Sequence, residues 1–113
     1  MMNHNLSNGV IFQEIINATE GAAAATDLTS DAVDMLGFDG VMLVACFGAI
    51  TAGAVTGVRA QQSSDDGAVD TYADLLGTDQ VVADDDDNQL VVIDIYRPKE
   101  RYVKLVVDRA TQN

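Results

Sequence analysis

The sequence holds one cysteine, one histidine, one proline and no tryptophan, and its basic residues are few. With Cys46 as the sole thiol, no intrachain disulfide can form, and nothing points to oxidising secretion. One Cys and one His fall short of the four N/S ligands of a usual zinc site. His4 is the only imidazole and stands in a loose N-terminal segment, so a Cys–His nucleophilic pair has little to be built from. Neither GxGxxG nor GxxxxGK[ST] occurs, which removes the common phosphate-cradling loops. No catalytic, cofactor-binding or metal-binding residue is assigned, and a non-enzymatic protein is expected.

Positive charge is the next shortage. Six basic residues face 18 acidic ones, a formal net charge of −12. A surface of that sign repels nucleic acid and anionic membranes on encounter, so neither is expected as a partner. Arg59 is the only basic residue ahead of Arg97, Lys99, Arg101, Lys104 and Arg109. The body is thus strongly acidic and the C-terminal segment close to neutral or slightly basic, an asymmetry able to orient one subunit against another. Met1 to Leu6 lacks a basic n-region, and no signal peptide is expected.

Apolar residues make up 48% of the 113, enough for a single domain over residues 1–113 with its own core. Val, Ile, Leu and Ala dominate, a palette suited to sheet packing. Val41 to Val58 contains no charged residue and reaches the lower edge of membrane-spanning length. Gly48, Gly53, Gly57, Thr51 and Thr56 interrupt it, and it reads as a buried β-hairpin. Within it, Val41–Ile50 is apolar at nearly every position, as in a strand covered on both faces. Cys46 is therefore expected to be buried and inert.

Further strands are predicted at Val10–Ile16, Ala32–Leu36, Ala54–Gln62, Val81–Ala83, Leu90–Tyr96 and Arg101–Val107, whereas Thr71–Leu76 fits a short strand or one helical turn. Thr19–Thr29, with its run Ala22–Ala25, reads as a loop or a mobile connection. Gly37-Phe38-Asp39-Gly40 and the segment around Pro98 carry turn chemistry. On the last strand Val103, Leu105 and Val107 share one face and are placed inward. The expected fold is all-β, a small β-sandwich or jelly roll of about six to eight strands.

Two clusters invite a functional reading. Asp84–Asp87 with Asn88 offers oxygen ligands, yet lacks the alternate spacing, central Gly and terminal Glu of an EF-hand; a solvated acidic loop is expected. Tyr96, Arg97, Lys99, Arg101 and Tyr102 surround the last turn and form the candidate interface. The two tyrosines either stack across that turn or serve as rim anchors at a subunit contact.

The stretch Val92-Ile93-Asp94-Ile95-Tyr96-Arg97-Pro98-Lys99-Glu100-Arg101-Tyr102-Val103 resembles one that recurs in short virion proteins of tailed bacteriophages. Gly37-Phe38-Asp39-Gly40-Val41 and Ala60-Gln61-Gln62-Ser63 agree with it in order and spacing, so the likeness runs from Met35 to Ala110. Within that group the capsid decoration, or cement, proteins are the best match. The resemblance implies a structural protein made in the host cytoplasm and carried on the capsid exterior. Its partners would be the major capsid protein and itself, as homodimer or homotrimer, with no cofactor. A head–tail connector or tail component is the alternative. Ala22–Ala25 and the acidic loop depart from the pattern, and no site residue is carried over.

Overall fold

The computed structural model describes residues 9–16, 27–50 and 52–111. Among them are eight strands and no helical element: β1 Leu28–Thr29, β2 Val33–Asp34, β3 Gly40–Cys46, β4 Val55–Ser63, β5 Ala73–Asp74, β6 Gln80–Val82, β7 Leu90–Tyr96 and β8 Tyr102–Thr111. They form two antiparallel sheets in an all-β, sandwich-like arrangement. The larger sheet is built on β4 paired with β8; β1 and β2 flank β8, and β5 and β6 flank β4. The smaller sheet is the ribbon β3–β7, in register from Gly40↔Tyr96 through Leu43↔Ile93 to Cys46↔Leu90.

Period-2 alternation decides what lies between the sheets. Leu43, Ile93 and Ile95 of the ribbon meet Val58 and Ala60 of β4 and Val103, Leu105 and Val107 of β8, with Met35 closing the cluster. Burying each such aliphatic side chain is worth about 1.5–3 kcal/mol, the main force joining two sheets that exchange few hydrogen bonds. The inward assignment of Val103, Leu105 and Val107 holds.

On the outer edge of β8 the chain substitutes a side chain for a strand. Between β1 and β2, Ser30 N donates to Leu105 O at 2.9 Å, and Leu105 N donates to Ser30 Oγ at 2.8 Å. The buried Ser30 hydroxyl donates onward to Asp31 O at 2.7 Å. The β8 edge thereby stays satisfied across the break between two short strands.

Several expectations need correction. Val10–Ile16 is not a strand, although Ile15 and Ile16 pack on the core and Ile15 O accepts from Asp31 N. Val41–Val58 is not a hairpin. After β3 the chain turns at Ala52–Gly53, with Gly53 at φ 84°, and crosses into the other sheet, so β3 pairs with β7 and β4 with β8. The last turn likewise joins β7 of one sheet to β8 of the other. Thr71–Leu76 contains the strand Ala73–Asp74. His4 and Ala22–Ala25 lie outside the described residues.

Candidate functional site

Each sheet has a second face turned away from the core, and the two differ sharply. On the larger sheet that face is mainly polar and internally paired, with Val106 on it buried beside Arg59. Arg59 binds Asp74 through Nε at 3.0 Å and Asp108 through Nη1, while Gln61 Nε2 donates to Asp74 Oδ1 at 2.8 Å. The hydrogen bond to Asp108 raises the Arg59 guanidinium above its usual value. Those from Gln61 and then Arg59 lower the Asp74 carboxyl. The Lys104 ammonium sits 3.9 Å from the centre of the Tyr72 ring, and Tyr72 donates to Asp66 at 2.6 Å. Burial, reinforced by Asp66, pushes the Tyr72 phenol up. These groups already hold one another.

The outer face of the ribbon is the opposite. Met42, Val44 and Cys46 of β3 stand beside Asp94, Val92 and Leu90 of β7, and Tyr96 ends the row. All are exposed, Leu90 at 64% and Tyr96 at 73%. Only Asp94 is charged. Contiguous apolar residues of this kind, uncovered in a single chain, mark an interaction surface. The expectation that Val41–Ile50 is covered on both faces is therefore corrected: Leu43 is buried, whereas Met42 and Val44 are open. The same parity exposes Cys46, contrary to the expected buried thiol.

The residues singled out in the sequence are divided by the sheet crossing. Tyr96 belongs to the apolar outer face, with the Arg97 guanidinium 5.2 Å from its ring centre. Arg97 adopts φ 52°, and its N–H donates to Asp39 O at 2.6 Å, which turns the chain out of the ribbon. Lys99 is exposed beyond it. Arg101 instead grips Asp34 with two 2.8 Å hydrogen bonds. Its guanidinium beside Asp34 holds that carboxyl at about 2. Tyr102 lies on the larger sheet with Arg101 5.1 Å from its ring centre. The two tyrosines thus lie on different sheets, each beneath its own neighbouring arginine.

The acidic loop is anchored as well as solvated. Asp84 Oδ2 accepts from Gly53 N at 2.6 Å and Asp87 Oδ1 from Ile50 N at 2.7 Å, fastening it to the β3–β4 connection. Among the described residues no three His, Cys, Asp or Glu side chains gather to hold a metal ion. No described helix is long and apolar enough to cross a membrane.

Sequence reasoning missed Met42, Val44, Leu90 and Val92 as surface residues. Asp94 was the available signal: as the one charge in β7, it marks the parity of Leu90, Val92 and Tyr96 as outward. No family model matches the chain, and neither a curated protein nor a solved structure does.

Proposed function

We propose that the chain is a non-enzymatic virion structural protein, a capsid decoration (cement) protein that docks on the outer shell of a tailed bacteriophage and bridges neighbouring major capsid subunits. The observation that carries this reading is the uncovered apolar face of the β3–β7 ribbon, set against a polar face whose charges are already paired. Met42, Val44, Leu90 and Val92 would form the desolvated centre of the contact. Tyr96, Arg97 and Lys99 would form its rim, where a cation beside an aromatic ring suits an acidic or polar neighbour. The resemblance of Val92–Val103 to virion proteins supports the same reading. A modest contact suffices, because repetition over a shell multiplies effective affinity.

The test is quantitative mass spectrometry of purified parent particles, followed by rebinding to shells stripped of the protein. A shell component is present in hundreds of copies, and Leu90→Asp/Val92→Asp abolishes rebinding while the protein stays folded. A dozen or fewer copies per particle would reject the shell role in favour of a connector or tail component.

A further inference from the structure

Two backbone hydrogen bonds fix the phase of the β3–β7 ladder: Arg97 N donates to Asp39 O and Phe47 N to Gln89 O. In an antiparallel pair only alternate residues bond the neighbouring strand. Val41, Leu43 and Ala45 therefore bond β7, whereas Gly40, Met42, Val44 and Cys46 direct their N–H and C=O groups to the other side. The phase is corroborated on β7, where Val92 O points away from β3 and accepts from Gln80 Nε2 at 2.7 Å. Among the described residues nothing bonds the four outward residues of β3. The edge is seven residues long and carries no lysine, proline or bulge, the devices that blunt exposed edges. The flanks of the larger sheet, by contrast, are strands of only two or three residues.

We infer that this edge pairs with the same edge of a second copy of the chain, antiparallel about a two-fold axis at Leu43, making one four-stranded sheet β7–β3–β3–β7. Only in this register do all four outward residues of each copy find a partner: Gly40 meets Cys46 of the second copy, and Met42 meets Val44. Eight backbone hydrogen bonds result. Gly40 has no side chain to crowd Cys46, and it must stay glycine, because a Cβ there would lie 2.9 Å from Ile95 O.

Charge selects this occupant in a chain of net charge −12. The seam is free of charge. Antiparallel pairing sets the two Asp39 residues about 27 Å apart along the strands. The two Asp94 residues are separated by three strand spacings, about 14 Å. Both separations exceed the screening length of about 8–10 Å. Packing two ribbons face to face would instead bury Asp94. The apolar outer faces of the two copies become continuous, but the inference stands whether or not a capsid shell is the target.

Sedimentation velocity over a concentration series, combined with residue-resolved amide exchange of the full chain, tests it. The expected result is a dimer in which the Gly40, Met42, Val44 and Cys46 amides gain protection with concentration while Val41, Leu43 and Ala45 are protected throughout. Val44→Pro, which removes one edge donor, weakens dimerisation at least about tenfold, whereas Val92→Lys, one strand away, leaves it intact. A monomer at all concentrations overturns the inference. So does a dimer broken by Val92→Lys but not by Val44→Pro, or an edge occupied only by a segment of another protein.

Discussion

Replacing Ser30 by alanine isolates a place where a side chain completes the sheet. The hydroxyl is buried in a residue 7% exposed and accepts the Leu105 amide at 2.8 Å. Leu105 itself is in the core, so its N–H has no route to solvent once the hydroxyl is gone. Leaving a buried donor unsatisfied costs about 1–3 kcal/mol. For a domain of this size that lowers the thermal midpoint by roughly 4–12 °C, and the urea midpoint by roughly 1 M. The exposed neighbour Thr29→Ala serves as control, with an effect within about 0.5 kcal/mol. Urea unfolding followed by circular dichroism, with amide exchange at Leu105, measures both. A Ser30→Ala variant as stable as the control, with Leu105 still protected, would refute the claim that this hydroxyl stands in for a strand.

Adjacent positions on β7 should behave oppositely in denaturant unfolding. Ile93→Ala, inside the sandwich, costs about 2–5 kcal/mol, whereas Val92→Ala on the open face costs less than about 1 kcal/mol. For Asp34, whose carboxyl Arg101 holds at about 2, the pair contributes stability that is present above the ordinary carboxylate range and is lost as pH falls through about 2. An NMR titration should place the wild-type midpoint near 2 and move it upward in Arg101→Ala; a wild-type midpoint near 4 contradicts the pairing. Cys46 should react stoichiometrically with a thiol reagent in the folded protein, and a thiol that reacts only in denaturant would put it in the core.

Strand positions were legible where one residue type set the phase. Leu90–Tyr96 was bounded correctly because Asn88 and Arg97-Pro98 punctuate it, and Lys104 among valines and leucines displayed the inward face of β8. In Val41–Cys46 both parities are apolar, so alternation is silent about which side meets the core, and Cys46 was placed on the wrong one. Pairing was less legible than extent. A Gly-containing turn between two strands looks alike whether the chain folds back in one sheet or crosses to another, and that choice is set by distant partners such as Ile93 and Val107. The same crossing divides the five basic and aromatic residues around Pro98, which nearness in sequence had joined into one patch. Val10–Ile16 has the composition of a strand, but its one described backbone bond to another segment joins Ile15 to Asp31.

A cryo-electron density map of the parent particle is the most direct test of the docking role. Repeated density is expected over the whole shell, with Met42, Val44, Leu90 and Val92 turned onto capsid subunits and the Arg59–Asp74–Asp108 face turned to solvent. Density confined to the vertex that carries the tail, or docking through the Arg59 face with the ribbon left in water, would contradict it.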